Sequence, residues 1–531
     1  MADMFGIGQY FPPPAHVKRI TRYKENRKLF RGEHYDVFER VKNRLSRTQR
    51  EVLYISVNMA GLVSKKSADF LFGETPHYSA GNADDSNEQK ALERLASEND
   101  LGIVNYESAL GNSYRGDSFY KIRWGQQYGG QLPKELDPFR VFIESQIAEY
   151  VFPEEDPFNA NNIMAYHIAY PTLYEDGQML NEFDLMRLNG VWTSPNYVVT
   201  GDQWFINVES HYPGKIVYRT LRAAATNVNV DNEVIEWKIF AEIPQARREV
   251  PTGVPIPLVV HVPNYAAGDG WEGIDDLTEL KPMLDELNNR LSLIASILDK
   301  HSDPAMVVPS GSLEDGDDGR PVFHAGRDKV FEVLDKTEVT PQYITWDGQL
   351  QAAFEEIKLL IEQILTVAEI PAVALGKDNS GTSGASGLSI KFRMNSLLAK
   401  INRKRQYYDR ALRKVFFIAQ LLEESKVDID YTVTVPKIKF KDGLPDDDLE
   451  QAQIFNMRLG GKATISQKTA IMQLDDLTEE QAQAEIDRMR EEEDSLATVE
   501  SSVFNEQDAG EADPPEDPEP GENRALTDSE G

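Results

Sequence analysis

Leu277, Leu280, Leu284, Leu287, Leu291, Ile294 and Leu298 recur at spacings of three and four, and Leu350, Phe354, Ile357, Ile361, Ile364 and Ala368 repeat that rhythm further on. Such spacing lines up apolar side chains on one helix face, so it predicts two amphipathic rods separated by an insert. Pro282 cannot donate within a helix, so the first rod begins close to Glu279 or kinks there. The insert is turn-rich and β-prone: residues 315–319 form a tight turn, and Val330–Val333 and Gln342–Thr345 read as strands. The second rod ends at Pro371. Gly376 to Ser389 holds four Gly and four Ser, a loop long enough in a packed domain to be a candidate functional loop. One long helix then runs to about Ser425, patterned by Ile401, Tyr408, Leu412, Val415, Ala419 and Leu422.

Elsewhere the pattern is mixed. Residues 15–75 read as helix with breaks, the last piece stopped by Gly73 and Pro76. Helices are expected near 88–99 and 103–115. From about 119 to 262 the period shortens to two, with strands at Trp204–Val208, Lys215–Arg219 and Val234–Phe240 between Pro, Gly and Asn turns. Pro251 to Pro263 is an extended, proline-rich lead into the first rod. A short strand is expected at Tyr431–Val435. Helices follow at about 446–459, 466–472 and 478–494, with Ser466 and Thr478 as N-caps and Gln481 completing a capping box. The fold class is α+β, mainly helical. Two rods carrying a small domain, followed by a loop, suit a ring-forming channel subunit better than an enzyme. A coiled hairpin within one domain is the plainer reading.

Charge sharpens this picture. At 531 residues the chain should divide into three or more domains. It has no cysteine, which excludes thiolate chemistry and disulfides. Its N-terminus lacks the layout of a signal peptide, and no apolar run approaches the roughly 20 residues a membrane span needs; a soluble chain made in the cytoplasm, with no membrane partner, is expected. The formal charge is −32, which disfavours tight binding of nucleic acid. Residues 491–531 hold fifteen acids against Arg524 alone, a composition expected to stay disordered beyond Thr498. Two stretches are basic. Residues 15–50 carry twelve Lys/Arg against four acids, and residues 391–414 carry nine against Asp409 alone; each is a partner surface or a solvated helix face.

Catalytic chemistry is not advertised. Gly460, Gly461 and Lys462 lack the upstream glycine of a Walker loop, and Ala463 stands where Ser or Thr is needed. No His-Glu-x-x-His or Gly-x-Ser-x-Gly motif is present. Asp275–Asp276 and Asp446–Asp448 sit where helix N-termini are expected, and acids there are favoured by the helix dipole without any metal. No cofactor is expected.

Several segments, in order, resemble one family. Leu29-Phe30-Arg31-Gly32-Glu33-His34 resembles its aromatic-Gly-x-His start, and Asn58 to Gly73 its early helix. Gly253-Val254-Pro255-Ile256-Pro257 through Pro263-Asn264, then Gly273 to Leu277 and Leu287-Asn288, resembles its proline-rich lead into a stem helix. Ile370-Pro371, Leu375-Gly376 and Ser383 to Gly387 look like its tunnel-loop segment. Gly461 to Ser466 with Thr469, then Glu479 to Glu493, is similar to its C-terminal helices. The family is the tailed-bacteriophage portal proteins, of the type found in siphophages with long non-contractile tails, and the likeness covers about residues 20–495.

The resemblance implies a wing at 1–270, stem helix 1 at 271–302, a clip at 303–347 and stem helix 2 at 348–370. Residues 371–444 would hold the tunnel loop (376–389), the long wing helix and a strand, 445–497 a helical crown, and 498–531 a disordered acidic tail. It implies a ring of twelve copies, or thirteen when made alone, at a capsid vertex in the virion, assembled in the host cytoplasm. Double-stranded DNA would pass through it, and the partners would be the terminase large subunit, head-completion or adaptor proteins, and the major capsid and scaffolding proteins. Lys377, Asn379, Ser380, Thr382 and Ser383 would face DNA. Lys400, Arg403, Lys404 and Arg405 are expected to pair with acids of neighbouring copies. Another head–tail connector or head-morphogenesis protein is the nearest alternative, and a packaging nuclease or ATPase subunit a more distant one.

Overall fold

The computed structural model describes residues 3–38, 54–81, 86–128, 132–178, 198–229, 233–244, 247–266, 268, 270–302, 306–307, 314–315, 321–322, 342–343, 350–377, 387–441, 448–460, 463–474 and 482–492. The chain forms two compact units, residues 1–444 and 445–531. The first mixes helix and sheet.

Strand β1 (Tyr10–Phe11) leads into α1 (Pro14–Arg31), which starts with proline where its missing N–H costs nothing and ends at Gly32 in the left-handed conformation. Helix α2 (Met59–Phe72) is capped by Asn58, whose Oδ1 accepts from Gly61 N at 2.7 Å. Strand β2 (His77–Ser79), α3 (Asn87–Glu98) and α4 (Leu101–Arg115) follow. Then come β3 (Asp117–Gly125), β4 (Arg140–Gln146), β5 (Val151–Asp156), β6 (Asn159–Tyr174), β7 (Gln203–Tyr212), β8 (Lys215–Val228), β9 (Val234–Glu242), β10 (Arg248–Pro251) and β11 (Val259–Pro263). The expected strands near 204, 215 and 234 are thus present and longer than the sequence pattern indicates.

An antiparallel seven-stranded sheet runs β1-β9-β8-β7-β6-β5, with β10 also on β8; a second sheet runs β11-β3-β4. Pro213 and Gly214, the latter at φ 82°, close the β7–β8 hairpin in the pattern of a type II turn. The largest apolar core joins α2, α3 and α4 to the three-stranded sheet, both rods and the long helix. A smaller one, with Phe5, Phe11, Phe152 and Trp237, fills one side of the seven-stranded sheet.

Three buried side-chain amides close backbone that would otherwise be open. Asn99 accepts from Ile143 N (2.9 Å) and donates to Val141 O (3.3 Å) on edge strand β4. Gln89 does the same for Ala80 N and Tyr78 O at β2, both at 2.9 Å. Gln420 holds Thr434 N and O at 3.0 and 2.8 Å. Each replaces a neighbouring strand by two hydrogen bonds. Asn99→Leu should therefore cost about 2–4 kcal/mol, since it strands one buried N–H and one C=O; urea unfolding of the variant checks this. The Gln420 bond also accounts for a correction: Tyr431–Val435 is not a strand. The strand lies just beyond, at Lys437–Lys439, antiparallel to β2.

The first rod begins with a 3-10 turn at Thr278–Leu280 and continues as α5 (Lys281–Ser302), so Pro282 sits in the first turn and residues 271–277 are not helical. The second rod is α6 (Leu350–Val367). Between them, Met306–Val307 pairs with Gln342–Tyr343, and Glu314–Asp315 with Pro321–Val322; the strand expected at Val330–Val333 lies outside the described residues. After a 3-10 turn at Ala372–Leu375 and a short helix, Gly387–Arg393, the long helix α7 spans Asn395–Glu424. All six of its patterned residues, from Ile401 to Leu422, are buried.

The second unit holds helices at Asp448–Leu459, Gln467–Leu474 and 482–492. Ser466 caps the middle one, accepting from Thr469 N at 3.2 Å. Thr478 and residues 498–531 lie outside the described residues.

Candidate functional site

Helices α5 and α6 lie against each other, as the repeats predict. Leu277, Leu280, Leu284, Leu287, Ile294, Ile357, Ile364 and Ala368 are buried, and Leu291, Leu350 and Ile361 are half-buried against the same core. Arg290 Nη2 bridges the pair to Glu356 at 3.0 Å. Leu298 and Phe354 are exposed, 50% and 46%. Leu359 and Val367 on α6 are exposed as well.

At the other end of the rods three elements converge on Asp276. Its carboxylate accepts from Lys404 Nζ (2.5 Å), Lys400 Nζ (3.2 Å), Ser113 Oγ (2.5 Å) and Asn264 Nδ2 (3.2 Å), while its own N–H donates to Ser113 O (2.8 Å). Lys404 Nζ also donates to Ser67 Oγ at 2.5 Å, and Lys400 Nζ to Ala368 O, just past the end of α6, at 3.0 Å. Arg403 pairs with Glu369, which has a positive φ of 59°. Arg405 donates to Phe70 O at 3.2 Å and to Lys441 O. The pairing with neighbouring copies expected of this basic stretch is thus corrected for Lys400 and Lys404. Both are buried and take their acid from their own chain.

The two aspartates, alike in sequence, do different work. Asp275 caps the rod: Oδ1 accepts from Leu277 N and Thr278 N at 2.9 and 2.6 Å, and Oδ2 from Thr278 Oγ1 at 2.7 Å. Burial raises its pKa. Burial acts the same way on Asp276, but Lys400 and Lys404 reverse it and hold this carboxyl well below the usual range. Burial drives Lys404 down to about 8 against the pull of Asp276, with Lys400 pushing in the same direction. Asp275, Glu279 and Glu369 also border this site.

That shift fixes a pH dependence. Between about pH 8 and the ordinary lysine value of 10.5 the unfolded chain holds a proton that folded Lys404 has released. This group therefore makes folding more favourable as pH rises through that window, by at most about 1.4 kcal/mol per pH unit. The stability of the wild type relative to Lys404→Met should accordingly grow between pH 8 and 9.5, measured by paired urea titrations.

The N-terminal basic stretch is likewise largely occupied where it is described. Arg19 is buried, donates to Val151 O (2.9 Å) and Ala148 O (3.2 Å), and lies over the Trp271 ring. Arg22 bridges to Glu272 and Arg27 to Glu149. Of the loop residues, Lys377 is exposed; Asn379, Ser380, Thr382 and Ser383 lie outside the described residues. No group of three or more metal-binding side chains occurs, and no helix is long and apolar enough to cross a membrane, among the described residues.

A helical hairpin with an insert is thus joined at its base to a long helix beside a region of mixed helix and sheet. The profile of phage portal proteins of the SPP1 Gp6-like type matches residues 13–498. The chain belongs to that phage portal family. It is therefore a structural protein of the head–tail connector, associated with the virion, and not an enzyme. No curated protein matches it in sequence. Among solved structures it is similar to a chain of the virion of a native gene transfer agent particle, with TM-score 0.39 and 10% identity over 81% of this chain and 92% of that one. It is also similar to a chain from the neck of an empty gene transfer agent particle, with TM-score 0.40 and 11% identity over 81% and 93%.

Proposed function

We propose that this portal protein closes into a ring, of twelve copies in the virion, through which double-stranded DNA is packaged, retained and ejected. The observation that carries the reading is the stem hairpin: one face is buried in its own fold while Leu298, Phe354, Leu359 and Val367 stay exposed along its length. Contacts between copies that repeat by rotation would cover these side chains and close a ring. Covering a large aliphatic side chain contributes roughly 1.5–3 kcal/mol, and the contact recurs at every copy. The charge of −32 suits a wall past which phosphates slide without being held.

In this reading residues 303–347 form the clip that meets the terminase large subunit and later the head-completion or adaptor proteins. The expected loop of 376–389 is cut short by the helix Gly387–Arg393, so residues 376–386 form the tunnel loop, with Lys377, Asn379, Ser380, Thr382 and Ser383 toward DNA, and residues 445–497 form the crown. The wing, 1–270, faces the capsid and scaffolding proteins. Negative-stain images and solution mass of the purified protein test the ring; single copies at high concentration would end the proposal. Deleting 378–386 should leave rings intact and shorten or destabilise the packaged DNA in particles built with the variant. Full-length, stably retained DNA would remove the loop from the account.

A further inference from the structure

The junction around Asp276 is larger than a structural ion pair requires. Asp276 precedes the first stem helix, Ala368 and Glu369 follow the second, and Lys400, Arg403 and Lys404 stand in the first three turns of α7. Lys400 bonds at both stem ends, through Asp276 and the Ala368 carbonyl. The described flanks of residues 378–386 are short and attached at this same place. Ala372–Leu375 begins four residues after Ala368, and Gly387–Arg393 runs into α7 just before Lys400.

A cavity of about 60 Å³ lies between the three elements, bordered by Tyr265, Asp275, Glu279, Val367, Glu369 and Arg403. One carboxylate serves two buried ammonium groups, and three further carboxylates border the same space. A lysine can therefore exchange one acceptor for another over a short distance without entering apolar surroundings.

We propose that Lys400, with Asp276 and Arg403, is the positioning residue that couples the two stem-helix ends to both flanks of residues 378–386, so that a shift of either stem end is passed to those flanks. The functional sense of this coupling rests on the channel reading above; the coupling itself does not. Lys400→Met is the informative variant, because Asp276 keeps Lys404 as its partner and the fold should survive. Arg403→Gln, at an exposed position, removes only the Glu369 clamp.

The test is amide hydrogen exchange on the purified full-length chain, wild type against Lys400→Met, Lys400→Arg and Arg403→Gln. Lys400→Met should speed exchange about tenfold in both segments, 365–377 and 390–404, and leave β6–β8 unchanged. Lys400→Arg should restore protection in part, and Arg403→Gln should loosen 365–377 alone. Unchanged exchange in Lys400→Met, or acceleration spread evenly through the β-sheets, would overturn the coupling, since the second pattern is that of general destabilisation. Images of the wild type from the same preparation separate the two ideas. Particles without a pore would sink the channel reading and leave the coupling, measured within single chains, to stand or fall on exchange alone.

Discussion

Asp276→Ala should destabilise the first unit by about 3–5 kcal/mol, the cost of leaving buried charge without its partner. Two ammonium groups, Lys400 and Lys404, would lose the carboxylate they are paired with, and Ser113 and Asn264 would each lose an acceptor. Urea unfolding followed by circular dichroism reads this directly. The companion variant gives the result its meaning. Asp276→Leu combined with Lys400→Met and Lys404→Met removes all three charges at once and should recover most of the loss, because apolar replacement of a buried ionic group is often neutral or better. A single Asp276→Ala chain within about 1 kcal/mol of wild type would mean that water, not lysine, solvates this carboxylate.

The second large effect is steric. Gly116 and Gly273 are pressed backbone to backbone where α4 ends and the chain approaches the first rod. A Cβ on Gly116, which is held at φ 95°, would lie 2.6 Å from Gly273 O, and a Cβ on Gly273 would overlap Gly116 O. Neither obstacle is a side chain that can swing away. Gly273→Ala must therefore separate the two segments, and with them the Asp276 N–H to Ser113 O bond and the Gly273 N–H to Asp117 Oδ1 bond at 2.8 Å. A loss of about 3 kcal/mol or more is expected, seen as a fall in melting temperature or in soluble yield. Gly270→Ala, where nothing lies within 4 Å, is the control and should be silent.

Much of the stem was legible because its signal is local. Leucines at three- and four-residue spacing can bury only as a helix, and Pro282 marked where that helix starts. The strands near 204, 215 and 234 were readable for the same reason, although their ends were not: pairing with neighbours extends a strand past its alternating core. What failed was anything decided by a distant partner. Tyr431–Val435 alternates like a strand, yet Gln420 takes the backbone bonds at Thr434. Asp275 and Asp276 look equivalent, yet only the first turns onto the helix end.

Lys400 and Lys404 were misread for a reason the helical period shows. Lys400 and Lys404 fall on the same side of α7 as Leu397, Ile401, Tyr408 and Leu412, all buried. A charge on an apolar stripe implies a buried counter-charge close by, whereas Arg403 and Arg413 stand on the exposed face. Counting net charge along the segment hid that distinction; placing each lysine on the helical period would have exposed it.

The amides of Gln89 and Asn99 carry a consequence for how other proteins meet this one. An incoming peptide cannot extend these sheets by strand addition at Tyr78–Ala80 or at Val141–Ile143, because main-chain groups it would need are already engaged by the two amides. Recognition there has to proceed through side chains, and edge-to-edge pairing with another strand is blocked at those same places.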